Sequence, residues 1–142
     1  MINFNLEWEG FRLTERRRKR EWLKGLIKEQ GYTPGDLSYI FLDDEALLRI
    51  NIEYLNHSTY TDIITFDNSE TEKKIEGDIF ISVERVKENA EKFKTPFERE
   101  LLRVMAHGIL HLMGYKDKKP EEAQAMRHAE EAAIQRYFTE ES

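Results

Sequence analysis

The sequence predicts an α/β (α+β) fold: a mixed four-stranded sheet packed with about five helices. Three observations carry that prediction. Some runs place apolar residues at every second position, others place them three and four apart, and the two kinds of run alternate in the order β-α-β-α-β-β-α-α-α. In INFNLEW, Ile2, Phe4, Leu6 and Trp8 fall at period two, which predicts a first strand with one buried face. A helix from about Thr14 to Gln30 follows, with Trp22, Leu23, Leu26 and Ile27 turned to the core and Gly31 as its stop. Ser38 to Leu42 is a short second strand. DDEALLRINIEYL then offers Asp43 or Asp44 as N-cap and sets Leu47, Leu48, Ile50 and Leu55 at helical spacings. TDIITF (61–66) and GDIFIS (77–82) are β-branched and aromatic runs, read as adjacent strands joined by the exposed polar stretch NSETEKK.

Three helices close the chain: VERVKENAEKF, TPFERELLRVMAHGILHLMG and PEEAQAMRHAEEAAIQRYF. The middle one carries the clearest punctuation. Thr95 is its expected N-cap, Pro96 its first helical residue and Glu98 the partner of Thr95 in a capping box, while Gly114 stands where a left-handed residue ends a helix. No repeat, low-complexity stretch or linker interrupts the pattern, so residues 1–142 read as a single domain.

Composition narrows the function. Hydrophobic residues make up 39% and charged residues 35% of 142 positions, which suits a soluble domain with a modest core. MINFNLEWEG lacks the basic start and apolar run of a secretory signal, and no stretch is long and apolar enough to span a bilayer, so a cytoplasmic address and no membrane partner are expected. There is no cysteine, hence no disulfide, thiol nucleophile or thiolate-bound zinc, and a transition metal would have to be held by His, Asp or Glu. The net charge of -6 argues against a general nucleic-acid coat. The basic surplus sits near the N-terminus, where Arg16 to Arg20 are five consecutive cations. A helix spreads them around its circumference, so the reading is a solvated first helix, compatible with some RNA contact.

The stretch HGILHLMGYKD, residues 107–117, concentrates the chemistry. Between Val104 and Leu112 the only side chains that are not apolar, Gly108 apart, are His107 and His111, which predicts a buried helix. The two lie about 40° apart around the axis and about 6 Å apart along it, so both imidazoles aim at one point. A buried histidine pair without a metal would need two sets of hydrogen-bond partners. The turn through Gly114 can swing Asp117 back toward them, completing a three-ligand site with open positions, although an exposed turn aspartate is the plain alternative.

HGILHLMGYKD resembles the signature of the YbeY family of bacterial endoribonucleases, His-Gly-x-Leu-His-Leu-x-Gly-Tyr-Asp-His. It matches at His107, Gly108, Leu110, His111, Leu112, Gly114 and Tyr115, and TDIITF and EGDIFIS are similar to two further family segments in the same order. The resemblance implies a mixed four-stranded sheet with helices, a metal held by three histidines, and cleavage of single-stranded RNA in ribosomal RNA maturation and ribosome quality control, with ribosomal RNA and the ribosome as partners. Two positions depart from it. Lys116 stands where the family has Asp, and Asp117 stands where it has the third His, so the ligand role passes to Asp117 and the set becomes His107, His111 and Asp117. Leu55 stands where most members have an arginine near the site, leaving its task to His57 or Arg103, or leaving catalysis weaker.

One divalent transition metal, zinc foremost, would lower the pKa of a bound water toward about 7 and polarise a phosphoryl oxygen. Zinc peptidases of the His-Glu-x-x-His type carry their general base directly after the first histidine. Gly108 stands there instead, which removes most support for peptide hydrolysis. Asp62, Glu76 and Asp78 flank the strands expected beside the site, but none stands out as a general base, and the catalytic residues stay unassigned. Arg127, Glu130 and Glu131 mark a solvated face and His128 as a surface residue, and His57 reads as a loop residue. A metal-stabilised, ribosome-associated binding module and a metal-dependent hydrolase of small molecules are the alternative functions.

Overall fold

The alternation in INFNL becomes β1 (Ile2–Leu6), whose Ile2 and Phe4 are buried while Asn3 and Asn5 face outward. The computed structural model describes residues 1–139. Its elements follow the expected order: α1 (Arg16–Glu29), β2 (Thr33–Leu42), α2 (Asp44–Leu55), β3 (Ile63–Asp67), β4 (Lys74–Ser82), α3 (Val83–Lys92), α4 (Phe97–Leu112) and α5 (Pro120–Thr139). The sheet order is β1-β2-β4-β3, with β1, β2 and β4 parallel and β3 antiparallel at the edge. The mixed four-stranded sheet and five helices match the expectation.

Both faces of the sheet are covered. The larger core cluster combines Leu37, Tyr39, Phe41, Ile79 and Ile81 of the sheet with Trp22, Leu23, Leu26 and Ile27 of α1 and with apolar residues of α4 and α5. A smaller cluster of Ile40, Leu42, Leu47 and Ile64 lies beneath α2. Asp43 caps α2 by accepting a hydrogen bond from the Ala46 amide at 2.8 Å. No helix among the described residues is long and apolar enough to cross a membrane.

Three local expectations need correction. β2 begins at Thr33, five residues early, because the TPGD segment pairs with β4 across an irregularity between Pro34 and Leu37; proline and glycine there resemble a turn in sequence. The Thr95–Glu98 capping box does not form. α4 starts at Phe97 with Pro96 as N-cap, and the Glu98 carboxylate accepts a 2.8 Å bond from Lys19 Nζ, a fully buried ammonium that also donates to the Thr14 carbonyl. The Thr95 amide that the box would offer Glu98 already donates to the Ala90 carbonyl at 2.9 Å, and a buried ammonium without a partner is costly, so Glu98 serves Lys19. The basic run is consequently not a solvated face. Arg18 stacks 4.0 Å above the Tyr137 ring and donates to the Tyr137 carbonyl, and Arg20 donates to the Ile2 carbonyl at 2.9 Å, while only Arg16 and Arg17 of the five stay exposed.

Helix α4 packs directly on the sheet at Gly108. A Cβ at Gly108 would stand 2.9 Å from Ile79 Cγ2 of β4 and 3.1 Å from Ile63 Cδ1 of β3, so the backbone of α4 approaches as closely as glycine allows. The Tyr39 hydroxyl locks the same helix by donating to the Met105 carbonyl at 2.7 Å. In an open helix Gly→Ala gains about 1 kcal/mol. Here steric overlap reverses the sign, and Gly108→Ala is expected to lower stability by about 1–3 kcal/mol, with Gly108→Val worse. Urea denaturation measures it; an alanine variant more stable than wild type would contradict the close approach.

Candidate metal centre

Glu100, Arg103, His107 and His111 recur at steps of three and four along α4 and so share one face of it. The imidazoles of His107 and His111 lie nearly parallel, 10° between planes and 6.0 Å between centroids. Every residue from Val104 to Leu112 except the two histidines is buried, but this face is not: the His107 side chain is 18% accessible and His111 is exposed. The expectation of a wholly buried helix fails here because β3 is the last strand of the sheet, so α4 overhangs an uncovered edge. The overhang forms a cleft of about 300 Å³. Thr61, Asp62, Ile63 and Thr65 form one wall, Arg103, His107 and His111 the other, and Asp117 closes one end.

Asp117 reaches the cleft through the turn that ends α4. Gly114 takes φ +101°, and the amides of Gly114 and Tyr115 donate to the carbonyls of His111 and Leu110. The Tyr115 hydroxyl donates to Gln30 Oε1 at 3.2 Å and the Tyr32 hydroxyl to the Met113 carbonyl at 3.0 Å, which ties the turn to α1 and to the segment after it. Asp117 Oδ2 stands 3.5 Å from His107 Nε2. His111 faces the same cleft, but among the described residues no three His, Asp or Glu side chains converge at metal-holding distances.

Behind the histidines lies a layer of charge. Arg103 is gripped by Glu100 at 2.6 and 3.1 Å, by Glu130 at 3.3 Å and, more loosely, by Asp62 at 3.8 Å. The His107 Nδ1 lies 2.6 Å from Glu130 Oε2. Glu130 was expected on a solvated face beside His128; it is 4% exposed, and the correction has a legible cause. The buried residues of α5 are Met126, Glu130, Ala133, Ile134 and Tyr137, so Glu130 occupies a core position of the stripe, and a charge there was the available signal. His128 is exposed, as expected. His57 is an exposed loop residue and Leu55 the exposed last residue of α2; neither lines the cleft, whereas Arg103 does.

Of the three carboxylates weighed beside the strands, only Asp62 reaches the cleft. The Glu76 carboxylate packs over Gly35 and accepts from the Asp36 amide, and Asp78 accepts from the Asn68 side chain. Burial raises the proton affinity of Asp62, and the positive field of Arg103, with His107, opposes the rise only in part.

The arrangement is that of a small α+β domain with a polar cleft at a sheet edge. A family model for endoribonuclease YbeY matches residues 8–138. The chain is 50% identical to endoribonuclease YbeY of Flavobacterium johnsoniae over 99% of its length and all of that relative. It is 51% identical to endoribonuclease YbeY of Cytophaga hutchinsonii over 94% of this chain and 93% of that one. The fold is similar to the solution structure of TM1509 from Thermotoga maritima, with a TM-score of 0.67 and 24% identity over 97% of this chain and 89% of that chain. The chain therefore belongs to the endoribonuclease YbeY family.

Because the proton affinity of Asp62 is raised on folding, its contribution favours the folded state below the ordinary aspartate range and is lost as pH rises through the raised value. Asp62→Asn should therefore gain melting temperature relative to wild type as pH rises above the ordinary aspartate range. A variant that instead loses ground there would mean that pairing with Arg103 outweighs burial.

Proposed function

We propose that residues 1–142 act as a single domain that cuts single-stranded RNA with the help of one divalent metal ion, zinc foremost, held by His107, His111 and Asp117. The observation that supports this most is the approach of Asp117 to His107 Nε2, 3.5 Å apart in the cleft that His111 also lines. The donor set suits the ion: two imidazole nitrogens and a carboxylate, with no thiolate in the chain. A carboxylate accepts and cannot donate, so Glu130 keeps a proton on His107 Nδ1 and leaves Nε2 as the atom turned to the cleft. Bound there, a dication would supply Lewis acidity, polarising the phosphoryl oxygens and offsetting charge in the transition state.

The surrounding residues favour RNA over peptide. The position after His107, where a peptidase carries its base, is Gly108, pressed against Ile79 and Ile63 with no room for a side chain. RNA brings its own nucleophile in the 2'-hydroxyl and needs less from the enzyme. Arg103, 29% accessible at the cleft wall, is placed to orient a phosphate and takes the task left open by Leu55. Asp62 offers a carboxylate of raised proton affinity on the opposite wall, suited to receive a proton.

The setting we infer is the cytoplasm, with the ribosome as partner and ribosomal RNA maturation and quality control as the task. The curated relatives are named endoribonucleases, which supports an RNA substrate. The net charge of -6 makes tight RNA binding by the domain alone unfavourable, which favours delivery of substrate by the ribosome.

The test is cleavage of a fluorescent single-stranded RNA, with chelator and metal add-back, by wild type and by His107→Ala and Asp117→Ala. Both variants are expected to stay folded and to lose at least about 100-fold in rate, and chelation should silence wild type reversibly. Wild type that melts on chelation yet never cuts RNA would indicate a metal-stabilised binding module. Metal-dependent turnover of small phosphodiesters alone would indicate a small-molecule hydrolase.

A further inference from the structure

We propose that Glu130 is a positioning residue for both working groups of the cleft: one carboxylate oxygen orients the His107 imidazole and the other holds the Arg103 guanidinium beside it. The inference rests on the metal-site reading above.

Glu130 comes from α5, twenty-three positions beyond His107, and is nearly inaccessible at 4% exposure. Burying a carboxylate is unfavourable unless its oxygens are bonded. Oε2 takes the shorter bond, 2.6 Å from His107 Nδ1, and Oε1 the longer, 3.3 Å from Arg103. Neutralising Arg103 does not require it, because Glu100 already grips that guanidinium with both oxygens at 2.6 and 3.1 Å. Packing does not require it either. Its neighbours on the buried stripe of α5 are Met126, Ala133 and Ile134, and an apolar residue of similar size would fill the same volume at no electrostatic cost.

What an apolar residue cannot do is fix a ring. A flip of the His107 ring about its Cβ–Cγ bond would put carbon where each nitrogen stands, and a carboxylate on Nδ1 selects the orientation in which Nε2 faces Asp117. The other oxygen of the same carboxylate bonds Arg103, so a phosphate gripped by the guanidinium would lie beside the imidazole. Exposed Glu131, the next residue, points elsewhere and pairs with Arg99 at 2.6 Å.

The experiment measures Zn²⁺ affinity by competition with a chromophoric chelator, together with the proton spectrum of the imidazole N–H groups and the melting temperature. The proteins are wild type, Glu130→Gln, Glu130→Leu, Glu131→Gln and His107→Ala. Glu130→Leu is expected to stay folded, because Arg103 keeps Glu100, and to weaken Zn²⁺ binding about 10- to 100-fold, with loss of the downfield Nδ1 proton signal of His107. Glu130→Gln, which keeps the shape, should fall between it and wild type and carries the test if the leucine variant fails to fold. Glu131→Gln should bind as wild type. If both Glu130 variants bind Zn²⁺ as wild type does while His107→Ala has lost it, Glu130 is only a structural pair and the inference is overturned. If His107→Ala itself binds unchanged, the site assignment falls first and the inference with it.

Discussion

The contact of α4 with the sheet at Gly108 is the constraint on which the cleft depends. It brings the helix backbone to within side-chain contact of Ile79 and Ile63, while His107 and His111 line the cleft beside the sheet edge. A helix that is apolar in most directions would ordinarily be swallowed by its neighbours. This one overhangs the edge strand β3, and the two histidines occupy the strip that the sheet leaves uncovered. Fold and site are thus one packing solution: tight contact on one flank of α4, an open polar groove on the other.

Charge is organised by the same geometry. Arg103 sits among Glu100, Glu130 and Asp62, and Glu130 passes the interaction on to His107. Such a layer is poor evidence for stability, since desolvation offsets much of the Coulomb attraction. Its value is orientation. A second ion pair, between buried Lys19 and half-buried Glu98, does comparable work at the far end of α4, fastening α1 to the start of the helix.

Much of this was legible in the residues. Period-two and period-3.6 runs give all nine elements in order, Trp22, Leu23, Leu26 and Ile27 are the buried face of α1, and the spacing of His107 and His111 puts their rings on one side of α4. The misreadings that concern charge share a physical cause, which is that a charge with a bonded partner need not seek water. Lys19 and Glu130 are buried because partners distant in sequence meet them, and no local pattern records that meeting. The Thr95–Glu98 box fails because both partners are taken elsewhere: the Thr95 amide donates to the Ala90 carbonyl and Glu98 pairs with Lys19. Glu130 could have been found from its place on the apolar stripe of α5, and Arg103 from its place in the series Glu100, Arg103, His107, His111. That β3 would be an edge, and so leave the histidines open, follows only from topology.

The central claim, that two imidazoles and one carboxylate close around a single cation, is tested most directly by anomalous diffraction from crystals of the zinc-loaded protein. The account requires one strong peak within about 2.0–2.2 Å of an imidazole nitrogen of His107, of His111 and of an Asp117 oxygen. A fully loaded crystal whose zinc lies on other side chains, with Asp117 turned to solvent, would contradict it.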